Sequence, residues 1–174
     1  MLRVRCRVAQ STIPHAGMGL FAEEPIPRGT VIEVPVGVER VYSRAELFAL
    51  PSDSPELLTS IRWLDDCYVA DPQRSDTYYI NHSFEPNCLW HLGFTFAMED
   101  IPAGAEITID YRVLMDADPD WAFVDASTGR RIQGFTWEEK MVYSAGRLLS
   151  LFQELAQRTT PSWIDTVALA TGTR

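Results

Sequence analysis

Three cysteines in 174 residues, Cys6, Cys67 and Cys88, stand too far apart to form a CxxC pair, so the sequence offers neither a zinc knuckle nor a disulfide framework. Without staples the fold must rest on apolar burial, and at this length one domain buries about 70% of the surface its unfolded chain exposes. No run of about 18 apolar residues is present to cross a bilayer. The N-terminal MLRVRCRVAQ alternates charge with apolar residues in place of a signal peptide's apolar segment. These absences predict a soluble, intracellular protein of a reducing, cytoplasmic compartment. Basic charge is scarce as well. Fifteen Lys and Arg against 24 Asp and Glu give a formal charge of −9, which argues against a direct nucleic-acid surface and favours a cationic protein partner through long-range attraction. The same acidity is also enough, by itself, to keep a protein in solution. No Gly-x-Ser-x-Gly elbow occurs, Cys67 and Cys88 carry no sign of activation, and His15, His82 and His91 lack the spacing of metal ligands. Hydrolase chemistry and a metal site are therefore not expected.

What is present is a succession of short period-2 patterns followed by helical ones. Leu2, Val4, Cys6 and Val8 alternate with Arg3, Arg5 and Arg7, which predicts a strand with one buried face. Thr30 to Val34 and Val36 to Val41 read as two short strands parted by Pro35 and Gly37. Ser43 with Glu46, and Ser54 before Pro55, are helix starts, so residues 43–66 are expected to form a small helical insert. From Cys88 to Met98 the even positions Cys88, Trp90, Leu92, Phe94, Phe96 and Met98 are apolar, which predicts one long strand. Ile101-Pro102-Ala103-Gly104 supplies a turn, after which Ile107, Ile109 and Tyr111 share a strand face. An acidic stretch, Asp116 to Asp120, leads to a hairpin centred on Ser127-Thr128-Gly129. Thr136 with Glu139 then opens a helix whose stripe is Met141, Ala145, Leu148, Phe152 and Leu155. That stripe packs either on the core or on a second copy of the chain, leaving a homodimer open. Ser162 with Asp165 suggests a second, shorter helix.

Two small clusters invite a chemical reading. Gly17-Met18-Gly19 lets backbone approach a ligand closely, or simply makes a tight turn between strands. Asn81-His82 offers donors and acceptors to a ligand, or to its own turn. Taken with their neighbours, the segments GMGLFA (Gly17 to Ala22), NHSFEPNC (Asn81 to Cys88) and AGAEITIDY (Ala103 to Tyr111) stand in the order and spacing of the SET-domain protein-lysine methyltransferases, which roughly the first 111 residues resemble. The resemblance implies a mainly β fold of small curved sheets. In it the Asn-His and Asp-Tyr segments form a pseudoknot, with a helical insert and C-terminal helices added. It divides the chain into a SET domain over 1–115 and a post-SET-like segment with helices over 116–174. It also implies that S-adenosylmethionine is held by Gly17, Met18, Gly19, Tyr79, Asn81 and His82, and that Tyr111 stands beside the transferred methyl.

The demands of lysine methylation agree with that assignment. The amine must be neutral to attack, and from a pKa near 10.4 deprotonation at pH 7 costs roughly 4.6 kcal/mol. A neighbouring sulfonium and an apolar channel both lower that pKa, so no dedicated base is obligatory. Tyr79, Trp90 and Tyr111 are the candidate aromatic walls of the channel, with Ile109 along one side. The positions that influence the number of methyls in the family hold Trp90 and Ile109, so mono-, di- and trimethylation stay open. Phe84 replaces a cysteine found in many relatives, and no cysteine follows Cys88, so a post-SET zinc cluster is not expected. Tyr78 stands where many relatives place an arginine for the methionyl carboxylate; Arg74 or His15 are the candidate substitutes, and Trp121, Phe123 or Phe135 the candidate cover for the adenine. The expected substrate is a lysine-containing, basic protein. The alternative is a catalytically inactive SET-fold module that recruits such a protein.

Overall fold

In the computed structural model, which describes residues 1–36 and 38–158, the alternating N-terminal segment becomes strand β1 at Cys6–Gln10. Leu2 stands earlier, in a single bridge to Glu33. β1 pairs antiparallel with β2 (Met18–Ala22), Gln10 opposite Met18, which leaves residues 11–17 as the loop at the open end of the hairpin. β3 (Val31–Glu33) follows. The second strand expected over Val36 to Val41 does not form among the described residues: Val36, Val38 and Val41 are exposed, and pairing resumes only at β4 (Tyr42–Ser43). A β-branched run makes a strand only where a partner edge and a buried face are available, and Pro35 removes a ladder donor just before it.

The insert begins as the sequence predicts. Ser43 and Glu46 form a reciprocal capping box on α1 (Arg44–Phe48), and Ser54 caps α2 (Pro55–Leu58) with proline in its first turn. The helical character stops at Leu58, however. β5 (Ser60–Leu64) and β6 (Cys67–Ala70) form a hairpin that joins β4 in a sheet ordered β4-β6-β5. Ile61 and Trp63 of β5 pack against the main core, a task for which β-branched and aromatic side chains suit a strand better than a short helix.

The single long strand expected from Cys88 to Met98 is a hairpin. β8 (Cys88–His91) and β9 (Phe94–Ala97) turn at Leu92 and Gly93, with φ of 50° and 92°. Positive φ at both central residues of a two-residue loop is the geometry whose twist matches the flanking strands. The turn shifts the alternation. Cys88 and Trp90 on β8 share their buried face with Thr95 and Ala97 on β9, so Phe94 is 38% exposed instead of inward. With β3 these strands form the sheet β3-β9-β8.

β7 (Asn81–His82) pairs parallel with β10 (Thr108–Ile109), which brings the two SET-like segments side by side. Ile107 and Ile109 are buried as expected, but Tyr111 does not continue their strand. Asp110 accepts from the Arg112 N–H and starts a 3₁₀ turn, Tyr111–Val113, that carries the tyrosine off the sheet. β11 (Phe123–Val124) and β12 (Arg131–Ile132) form the predicted hairpin, with Asp125 accepting from Ser127 and Thr128 across its turn. α3 (Trp137–Arg158) starts at the expected Thr136–Glu139 box. Its inner face is shifted by about one residue from the predicted stripe: Lys140, Ser144 and Leu151 are fully buried, whereas Phe152 is 44% exposed. α3 packs on β8 within the same chain. The helix predicted from Ser162 lies outside the described residues.

The main core gathers Leu20, Ile26, Ile32, Ile80, Trp90, Ile101, Ile107 and Ile109 from different sheets. Each such side chain contributes about 1.5–3 kcal/mol on burial, so the small sheets depend on one another through this shared interior. A smaller cluster, Tyr42, Leu47 and Tyr68, lies beneath α1. It is tied to the segment after Tyr111 by Arg44, which bonds Asp116 at 2.9 Å and Asp118 at 2.7 Å, and by the Tyr68 hydroxyl, which donates to Asp116.

Candidate active site

A cleft of about 1210 Å³ runs between the core sheets, the insert and the segment after Tyr111. Of the residues predicted from sequence, Met18, Tyr79, Asn81, Trp90, Ile109 and Tyr111 all line it. Gly17, Gly19 and His82 do not; they stand behind or beside its wall. Tyr111 lies at the inner wall because the 3₁₀ turn lifts it from β10, and its hydroxyl donates to the Ile80 carbonyl at 2.8 Å. Burial pushes its pKa up to about 12, with Tyr78 and Glu106 adding to the shift. The phenol therefore keeps its proton at neutral pH.

His82 acts through Tyr111. Its Nδ1 accepts the Tyr111 backbone N–H at 3.1 Å, and its ring packs 5.4 Å from the tyrosine ring. Burial lowers the imidazole pKa in spite of Asp110, so the ring is neutral. With Nδ1 accepting, the proton sits on Nε2, which is buried without a hydrogen-bond partner. Asp110 in turn takes the Arg112 guanidinium in a bidentate pair, 2.6 Å at its shortest. Histidine, aspartate and arginine thus fix the backbone on both sides of the tyrosine.

Asn81 and Gly19 meet at Glu106, a residue that the sequence reading missed. The Asn81 amide donates to Glu106 Oε1 at 2.8 Å and to the Met18 carbonyl at 2.9 Å. Ser11 and Thr12, in the loop between β1 and β2, donate to the same carboxylate. Burial would raise the Glu106 pKa, but these hydrogen bonds hold it below the usual range. Nothing in the local sequence marks it: the donors come from Ser11, Thr12 and Asn81, far away in the chain, and a buried carboxylate must find such donors. A Cβ built on Gly19 would stand 2.3 Å from Glu106 Oε1 and 3.2 Å from the Asn81 amide, so this glycine is required by the network itself. Gly17 differs: its φ is 76°, and the space around a built Cβ is empty.

Trp90 and Trp63 of β5 both line the cleft. Behind Trp90 lies Lys140 of α3, wholly buried. Its ammonium is 4.7 Å from the Trp90 ring centroid and donates to the Arg62 and Trp63 carbonyls at 2.6 and 2.9 Å. Burial, with help from Arg62, pushes its pKa down to about 7. Of the expected adenine covers, Trp121 and Phe123 line the cleft; Phe135 packs on Tyr143 and Arg112 instead. Arg74 stacks on Tyr78, which does line the cleft, while neither Arg74 nor His15 does. Among the described residues, no three His, Cys, Asp or Glu side chains converge as a metal site, and no helix is long and apolar enough to cross a membrane.

One solved structure similar to this chain is the crystal structure of the Chaetomium thermophilum polycomb repressive complex 2, at 18% identity and a TM-score of 0.49. The match covers 77% of this chain but spans 20% of that one. The sequence model of the SET domain matches residues 17–112, more than half of the chain, and takes in all three segments from Gly17 to Tyr111 that converge on the cleft. The chain belongs to the SET-domain family, a branch of the methyltransferases.

Proposed function

We propose that the chain is an S-adenosylmethionine-dependent methyltransferase acting on the side-chain amine of a lysine in a protein. The observation that carries this reading is the Tyr111 hydroxyl, held on the Ile80 carbonyl at the inner wall of the cleft that Met18, Tyr79, Asn81, Trp90 and Ile109 also line. The donor set suits the cofactor. Tyr79, Trp90 and Tyr111 supply aromatic rings that suit a sulfonium cation, and Met18 and Asn81 line the same cleft. When bound, S-adenosylmethionine supplies an electrophilic methyl group on sulfur, which departs as the neutral thioether as the new N–C bond forms.

This chain's own residues then have three tasks. Trp90 and Ile109, both buried in the core, keep water from the acceptor amine and favour its neutral form, its proton having gone to solvent. Tyr111 positions: its proton is committed to Ile80, which leaves the oxygen lone pairs free to accept weak C–H hydrogen bonds from a polarised methyl. With its pKa near 12 it is no general base at neutral pH. His82 and Asp110 hold the Tyr111 backbone so that alignment, worth up to about 7–11 kcal/mol in well-oriented reactions, is built into the fold.

Isothermal titration of the full chain with S-adenosylmethionine tests the cofactor half of this reading. One cofactor bound per chain is expected, with the heat lost in Asn81→Ala protein that still melts cooperatively. No heat from the natural sequence would overturn it.

A further inference from the structure

The overall charge of −9 points to a basic partner, but the mouth of the cleft has a different chemistry. More than half of the exposed large hydrophobic side chains among the described residues line this one cleft. Val36, Val38, Leu58, Trp121 and Phe123 are 54%, 42%, 57%, 44% and 46% exposed, and all five stand on its walls. Large apolar side chains left exposed around one cleft mark an interaction site when they are gathered this way. Val36 and Val38 come from before β4, Leu58 from the insert and Trp121 and Phe123 from the segment after Tyr111, with Trp121 stacked on Phe48 at 4.7 Å and Arg44 bridging to Asp116 and Asp118.

The few charged side chains on the cleft wall are already committed to partners within the chain. The wall's three carboxylates all have internal partners: Glu33 accepts from Thr95, Asp71 from the Ser75 hydroxyl and backbone, and Asp116 from Arg44, Tyr68 and the Asp118 N–H. Arg40, on the rim, is paired with Glu46 at 3.8 Å and stacks on Tyr42. The acidity of the chain is therefore carried mainly on other faces, where it can speed encounter without choosing neighbours of the target residue.

Building on the methyl-transfer reading, we propose that this mouth selects an extended protein segment whose target lysine is flanked by large apolar side chains, not by further lysines and arginines. The amine reaches Tyr111 past Trp90, while the flanking side chains cover Val36, Val38, Leu58 and Trp121.

The test uses a peptide library with one fixed lysine and randomised neighbours, offered to the full chain in two ways. In the first, methylated products are sequenced by mass spectrometry. In the second, peptides retained by the immobilised full chain are sequenced without any transfer. Leu, Ile, Phe and Met are expected to be enriched beside the lysine in both. Leu58→Glu, at an exposed site outside the transfer machinery, should lower kcat/KM for an apolar-flanked peptide at least fivefold while leaving cofactor titration unchanged. Enrichment of Lys and Arg, no preference, or an unaltered preference in Leu58→Glu would overturn the proposal. If no peptide is methylated, the methyl-transfer reading fails separately, and the retained pool still decides what the mouth prefers.

Discussion

Gly17 and Gly19 flank Met18 but answer to different constraints, and the difference can be measured. A methyl group on Gly19 collides with Glu106, whose oxygens also hold Asn81, Ser11 and Thr12. Gly19→Ala is expected to lower stability by about 1–3 kcal/mol, the usual cost of overpacking a filled interior, and to weaken cofactor binding because Asn81 loses its anchor. Gly17→Ala meets empty space and pays only for its φ of 76°, about 1 kcal/mol. Urea midpoints for the two variants check the ordering; equal losses would show that Glu106 yields easily. At this scale the sequence was partly legible. Asn81, Trp90, Ile109 and Tyr111 were singled out and share a cleft, because side chains chosen for chemistry stand out in short motifs. Glu106, Ser11 and Thr12 were not, since a hydrogen-bond hub is visible only once distant segments meet.

Among the elements, α3 shows how a packing partner can override a helical pattern. Periodicity favoured an apolar stripe through Met141 and Phe152, yet the fully buried positions are Lys140, Ser144 and Leu151. Lys140 is admitted to the interior because two carbonyls of β5 and the face of Trp90 receive its ammonium. With its folded pKa near 7 against 10.5 in the unfolded chain, the unfolded state binds more protons between those values. Stability should therefore rise with pH across roughly pH 7 to 10, by up to about 1.4 kcal/mol per pH unit for one proton. Lys140→Met removes that proton. The natural urea midpoint minus that of the variant should rise steadily from pH 6.5 to pH 9.5, starting with the variant the more stable, and a constant difference would mean that Lys140 stays charged throughout. Two carbonyls left without a donor add a pH-independent loss of about 1–3 kcal/mol. The hairpin of β8 and β9 teaches a related lesson. Six alternating apolar residues concealed a turn, and only Gly93 marked it, because alternation continues across a two-residue loop while the inward face changes phase.

For the whole molecule, the order of the three SET segments was legible, and the family assignment follows from it. The parallel pairing of β7 with β10 was not visible in periodicity, since two-residue strands carry no repeat. Nor was the cleft's second wall. It depends on Arg44 reaching Asp116 and Asp118 from an insert more than seventy residues away in the chain. The account rests on that shared cleft being a place where methyl passes to lysine under the guidance of Tyr111. Incubating the full chain with methyl-labelled S-adenosylmethionine and lysine peptides, beside Tyr111→Phe protein, tests this most directly. The account predicts label on the lysine side chain and a fall of at least about 100-fold in Tyr111→Phe, with cofactor titration and melting nearly unchanged. A chain that binds cofactor but labels no lysine, or a Tyr111→Phe variant as fast as the natural sequence, would contradict it.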